Sequence, residues 1–161
     1  MVAAVPTVRT TFRLNGAQTS DDIPVWMTLL DWLRECAGLT GAKKGCDRGQ
    51  CGACTVLIDG ERHYACLRLA VTLGGRDVLT VEGLGAAHSL HPLQRAFVDC
   101  DAMQCGFCTP GQIMSGIAVI AEGHAADAEM VRQWMAGNLC RCAAYPNIVA
   151  AILSAAQADA G

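Results

Sequence analysis

Nowhere does this sequence run for the roughly 18 uninterrupted apolar residues that a membrane-spanning helix needs. Yet 52% of its residues are hydrophobic, so it can bury a core without entering a bilayer. It also lacks a basic tail or any Lys/Arg-rich run, and its formal charge is −3. Nucleic acid is therefore not an expected partner. The opening residues, Met1 to Thr10, lack a charged segment followed by an apolar one. The expectation is an uncleaved, cytoplasmic chain. There is no Ser/His/Asp arrangement, no phosphate-cradling loop and no paired carboxylates that would support catalysis on this chain. The length of 161 residues suits one ordinary domain or two small ones.

What the sequence has in excess is cysteine, ten residues in all. In a secreted mini-protein ten cysteines would suggest disulfides. A chain of this size without an export signal does not need such staples, and a reducing compartment leaves thiols free for metal.

The first group is Cys46, Cys51, Cys54 and Cys66, opening with Gly45-Cys-Asp-Arg-Gly-Gln-Cys-Gly-Ala-Cys. The C-x4-C-x2-C…C spacing is that of plant-type [2Fe–2S] ligation. Three thiolates must close around one compact inorganic core, so the chain has to wrap it tightly. Gly45, Gly49 and Gly52 let the backbone turn and bring N–H groups close to sulfur. Those donors offset the negative charge of a reduced cluster. Zinc also takes four thiolates, but its usual signature is two separated C-x2-4-C knuckles.

Around this loop the pattern reads as a small mixed domain. Val8–Leu14 forms a strand entering a hairpin at Asn15-Gly16. Thr28 caps a helix with Asp31 three residues on. Leu29, Leu33 and Cys36 recur at i, i+4, i+7 before Gly38 ends it, which makes Cys36 a core residue rather than a ligand. Thr55–Ile58, Asp59-Gly60 and Glu61–Tyr64 form a second hairpin, which carries Cys66 back towards the loop. Val78–Val81 is the closing strand.

The second group is Cys105, Cys108, Cys140 and Cys142. Residues at i and i+2 cannot face the same way on a helix. Cys140 and Cys142 therefore belong in a non-helical corner with Arg141 turned away. Thr109-Pro-Gly-Gln112 reads as an N-cap, a Pro at the first helical position and a Gln completing a capping box. Pro146 opens another helix after Cys142. Two helix N-termini would thus aim their positive ends at an anionic centre. A second iron–sulfur cluster explains this better than a zinc knuckle.

This half reads as four helices. Leu93, Ala96, Phe97 and Cys100 mark the first, making Cys100 a packing residue. Ile113, Ile117 and Ile120 mark the second. Met130, Val131, Trp134 and Met135 mark the third, opened by Asp127. Ile148, Val149, Ile152 and Leu153 mark the fourth. Together they make a small bundle with the metal at one end. Glu82 to Ser89 has the composition of a linker. His88 and His91 are read as linker or cap residues, His63 and His124 as residues without a partner motif, and Lys43-Lys44 as a solvated face.

The segments Gly45–Val56, Gln104–Gln112 and Asn138–Cys142 closely resemble the small iron–sulfur subunit of the molybdenum hydroxylases, the xanthine oxidase/aldehyde oxidoreductase family. The resemblance runs from about Val8 to about Ser154. Leu39–Cys46 and Cys140–Ile148 look most like bacterial three-subunit aldehyde oxidoreductases, with Ala143-Ala144 where many relatives have Thr-Gly. The resemblance implies an α+β chain: a plant-type ferredoxin-like (β-grasp) domain over residues 1–82 and an all-α four-helix [2Fe–2S]-binding domain over 83–161. It implies a large partner subunit with a molybdenum–pterin cofactor and another with FAD. It also implies that Gln104 and the sulfur of Cys142 contact the pterin.

The expected function is electron relay, from molybdenum through the helical-domain cluster to the ferredoxin-like one, during oxidation of an aldehyde or aromatic N-heterocycle. The rival reading is a stand-alone two-cluster ferredoxin. Some relatives carry a twin-arginine signal, so a periplasmic location would require export with a partner or a missing extension.

Overall fold

The computed structural model describes residues 5–85 and 89–159. His88 lies outside the described residues. The first half is a five-stranded sheet in the order β2-β1-β5-β3-β4. Strands β1 (Thr7–Leu14) and β2 (Ala17–Pro24) are antiparallel, as are β3 (Thr55–Ile58) and β4 (Glu61–Tyr64). Between them, β5 (Asp77–Leu79) runs parallel to β1 and antiparallel to β3. This is the expected β-grasp arrangement, and the second half is the expected helical one.

Both hairpins turn where expected, and for the same reason. Asn15 and Gly16 have φ of 50° and 83°, and Asp59 and Gly60 have 52° and 85°. Two consecutive positive φ values make the two-residue turn whose twist matches that of paired strands. Asn15 does a second job. Its side chain accepts from the Thr80 backbone N–H at 2.8 Å and donates to the Thr80 hydroxyl at 3.0 Å. Thr80 is thereby held on the hairpin, and the chain leaves the sheet. The closing strand therefore stops at Leu79, and Val81 begins a 3-10 turn instead of extending it.

One helix covers this sheet. Thr28 caps α1 (Leu29–Asp31) by accepting from the Asp31 N–H at 3.1 Å. The helix then widens into a π turn over Trp32–Cys36, with Ala37 N–H donating to Trp32 O at 3.0 Å. A π turn takes an extra residue, so the seven-residue spacing from Leu29 no longer returns to the same face. Leu29, Leu30 and Leu33 are fully buried, but Cys36 is exposed. The expectation that Cys36 sits in the core is thus corrected. These leucines pack with Phe12, Ile23, Val56, Ile58 and Val78 into one core. Within it Phe12 and Trp32 meet edge to face at 5.0 Å, and the Trp32 indole N–H donates to Asp21 at 2.9 Å.

The second half comprises α2 (Pro92–Asp99), α3 (Thr109–Ala121), α4 (Ala128–Trp134) and α5 (Tyr145–Asp159). His91 closes a capping box with Gln94 at the start of α2, and Asp127 caps α4. Leu93, Phe97, Val119, Val131, Ile148 and Ile152 form the bundle's core, with Cys100 packed against it. Trp134 does not join that core. It lies on the surface, its ring stacked on His124 at 3.6 Å. A third, smaller cluster of Leu57, Met114 and Ala118 joins β3 to α3 and so welds the halves together. Among the described residues no helix is long and apolar enough to cross a membrane.

Truncating Phe12 to Ala should cost about 3–5 kcal/mol, the usual range for a buried phenylalanine. The unfolding midpoint in urea should fall accordingly, with the slope of the transition unchanged.

Candidate metal centres

The first thiol set is built on the sheet. Cys54 directly precedes β3, and Cys66 lies in a 3-10 turn directly after β4. The antiparallel pairing of β3 with β4 therefore brings these two distant residues side by side. Cys46 and Cys51 stand on the loop between α1 and β3. That loop is held at its base by Lys43 N–H donating to Ala53 O at 3.0 Å. Lys44 is exposed as expected, and at the surface it spans Asp31 of α1 at 2.9 Å and Asp47 at 3.1 Å. Gly49 and Gly52 have φ of 74° and 70°, and Gln50 N–H donates to Cys46 sulfur at 3.2 Å.

The second set is built on helix starts. Cys105 and Cys108 lie on the α2–α3 connection, with Cys108 as the residue that opens α3. Cys140 and Cys142 lie in the turn between α4 and α5, closed by Ala143 N–H donating to Cys140 O at 3.3 Å and by a positive φ at Ala143. As expected, this corner is non-helical; Arg141 is exposed, but it lines the cleft shared by Cys105, Cys108 and Cys140 instead of standing apart from it. The Tyr145 hydroxyl, from the first turn of α5, accepts the Cys140 N–H at 2.8 Å.

Within the first set Cys46 lies near Cys51 and Cys54 near Cys66, and within the second Cys105 lies near Cys142 and Cys108 near Cys140. Four thiols gathered at one place are the donor set that a [2Fe–2S] core takes.

Each set also contains one thiol biased towards ionisation and one biased against it. The N–H groups of Arg48 and Gln50 bring Cys46 down to about 7. The Phe107 N–H and the Cys142 thiol lower Cys105. Burial pushes Cys54 up to about 12 and Cys108 likewise to about 12. A metal must therefore displace a proton from the inner thiols, while the outer ones supply negative charge at little cost. Cys46, Cys51, Cys105, Cys108 and Cys140 all line one cleft of about 420 Å³, so the two sets open towards each other.

The comparisons with known proteins agree with this geometry. A "2Fe-2S iron-sulfur cluster binding domain" model matches residues 12–72, and a "[2Fe-2S] binding domain" model matches residues 80–153. The aldehyde oxidoreductase iron-sulfur-binding subunit PaoA of Escherichia coli K12 is 48% identical over 161 residues, covering 91% of this chain and 70% of that one. The nicotine 6-hydroxylase small subunit of Paenarthrobacter nicotinovorans is 44% identical, covering 88% and 86%. Among solved structures, quinoline 2-oxidoreductase from Pseudomonas putida 86 superposes with a TM-score of 0.91 at 42% identity, covering 95% of this chain and 96% of that one.

This chain belongs to the iron–sulfur subunits of the molybdenum hydroxylases. As such it is an electron-transfer component of an oxidoreductase complex, and the stand-alone ferredoxin reading gives way.

The iron–sulfur subunit uses several residues that sequence reasoning passed over. Gln112 does not complete a capping box. It is buried, and its amide donates to the Asn138 carbonyl at 3.0 Å, tying α3 to the turn before Cys140. Thr109 is correspondingly not the cap, since Cys108 holds that position without a side-chain bond. Asn138, read only as part of a motif, is buried and donates to the carbonyls of Gly52 and Gly111, each at 3.1 Å. Its signal in the sequence was only that an Asn precedes the C-x-C pair by two residues. Gln104 is exposed and Cys142 half-buried, both on the second set's rim.

Replacing Cys51 by Ser should remove the visible and EPR signals of one cluster only, and Cys108→Ser those of the other. Cys36→Ser and Cys100→Ser should leave iron content unchanged, as measured on the purified complex.

Proposed function

We propose that the subunit relays electrons one at a time from a molybdenum–pterin site in its large partner to FAD in a second partner, while the large partner oxidises an aldehyde. The electrons enter at the cluster held by Cys105, Cys108, Cys140 and Cys142. They pass to the cluster held by Cys46, Cys51, Cys54 and Cys66, and the division between the domains falls after Glu82. When bound, each [2Fe–2S] cluster supplies a one-electron redox centre. The chain's own residues hold it, keep water away and neutralise its charge.

The observation that carries the reading is a backbone hydrogen bond between the two sets. Leu139 N–H donates to Cys51 O at 2.9 Å. One partner is a residue of the first set, and the other directly precedes Cys140 of the second. This provides a short continuous route between the sets with a single through-space step.

Entry at the second set is supported by its surroundings. Met103, Phe107, Leu139 and Tyr145 are all exposed apolar or aromatic residues grouped about that set. An apolar rim of this kind suits burial against a permanent partner. Gln104, exposed and directly before Cys105 in the chain, offers its amide to the pterin, as does the sulfur of Cys142. The choice of aldehyde over N-heterocycle follows the identity with PaoA, whose name is that of an aldehyde oxidoreductase. A reducing cytoplasmic compartment suits eight thiols that must stay free for iron.

The visible spectrum of the anaerobic complex, isolated through this chain, tests the proposal. Aromatic aldehydes should bleach both clusters. Bleaching by N-heterocycles alone would change the substrate class, and no bleaching by either, with dithionite still effective, would remove the relay from a substrate-oxidising partner. Gln104→Ala should keep both clusters but slow their reduction by substrate; an unchanged rate would remove the pterin contact.

A further inference from the structure

The geometry points to Asn138 as a positioning residue that sets how strongly the two clusters are coupled to each other. The inference rests on the reading that both thiol sets hold [2Fe–2S] clusters. It adds that their mutual placement depends on one side chain that ligates neither.

Asn138 is 5% exposed. Both of its strong amide donations go to backbone carbonyls that belong to different thiol sets. One is Gly52 O, between Cys51 and Cys54, and the other is Gly111 O, in the helical turn that Cys108 opens. Its own segment leads directly to Cys140. A single amide therefore joins the three segments that together carry Cys51, Cys54, Cys108, Cys140 and Cys142. Only an uncharged amide fits, since a carboxylate of the same size would face two carbonyl oxygens with no proton to offer.

The surrounding contacts show that this join has little slack. The Gly52 carbonyl also accepts from Thr55 N–H at 3.1 Å and from the Thr55 hydroxyl at 2.7 Å, so it cannot swing to follow a displaced partner. Gly111 has no room for a side chain, because a Cβ there would run into the Gly52 carbonyl oxygen. Backbone thus meets backbone at the join. Gln112 holds the Asn138 carbonyl from the other side, and the next residue, Leu139, makes the N–H bond to Cys51 O. That bond is the direct link between the sets, and it is seated by Asn138.

Each cluster would still be ligated without Asn138, because all eight thiols remain. What changes is the alignment of the turn before Cys140 against the first set's loop. Both dipolar coupling and electron tunnelling fall steeply with separation, so they should respond before ligation does.

The test uses the purified complex carrying Asn138→Asp or Asn138→Ala in this subunit. Iron content and visible spectrum report ligation, and low-temperature EPR of the dithionite-reduced complex reports the magnetic interaction between clusters. Freeze-quenching after a substrate pulse reports how fast spin moves from the second cluster to the first. The expected result is full iron, normal reduction of the second cluster, a diminished inter-cluster splitting and slowed onward transfer. Full iron with unchanged splitting and unchanged transfer would overturn the role of Asn138 alone. A wild-type complex with fewer than two [2Fe–2S] signals would overturn the cluster assignment and this inference with it. Should the Asn138 variants lose iron, Gln112→Leu decides. It removes the bond to the Asn138 carbonyl and leaves Asn138 itself in place, so a smaller change in the same direction supports the role, and unchanged splitting overturns it.

Discussion

The contact between Gly52 and Gly111 is the constraint on which the rest of the structure depends. There the loop that carries the first thiol set and the helical turn that carries part of the second come together backbone to backbone. Asn138 donates to both carbonyls at 3.1 Å. Buried polar groups are costly unless paired, so a side chain that satisfies two carbonyls at once locks the contact. Further ties lie on the same seam. Arg62 of β4 forms a two-pronged ion pair with Glu122 at the end of α3, at 2.7 and 3.2 Å, and donates to Trp134 O at 2.9 Å. The Tyr64 hydroxyl donates to Gly137 O at 3.3 Å. The two halves are thus held as one unit, as a relay requires if its centres are to keep a constant separation.

Electrostatics on the two sides of that seam follow one plan carried out by different means. An anionic centre in a partly buried site needs donors that do not have to reorganise when charge arrives. In the first set these are N–H groups of a glycine-rich loop, such as that of Gln50 to Cys46. In the second they are the starts of α3 and α5, which open directly after Cys108 and shortly after Cys142. The same contrast separates inner from outer thiols. Burial of Cys54 and partial burial of Cys108 push each up to about 12, whereas backbone N–H donors bring Cys46 down to about 7.

Much of the fold was legible in the sequence because its signals are local. Asn15-Gly16 and Asp59-Gly60 specify their turns by the φ values they tolerate. Thr28 and Asp127 specify helix starts by the hydroxyl or carboxylate they offer. Where the reading failed, a change of helix geometry or a distant partner had overridden the simple spacing. Cys36 left the core because a π turn shifted the phase of α1. Gln112 left its capping role because a buried carbonyl 26 residues away needed a donor. Trp134 left the bundle's core and stacks on His124 at the surface.

By itself the sequence sorted eight thiols into two groups, since C-x4-C-x2-C and C-x2-C with C-x-C are spacings suited to metal centres. It also determined that one half is a sheet and the other a set of helices, because periodicity and turn chemistry act over a few residues. Only the tertiary structure decided how the two groups face one another. That depends on Asn138, Gly52 and Gly111, and on the bond from Leu139 to Cys51, which join positions up to 88 residues apart in the chain. No local preference encodes such a meeting. It arises when the two surfaces pack so closely that a buried amide must find its acceptors across the join.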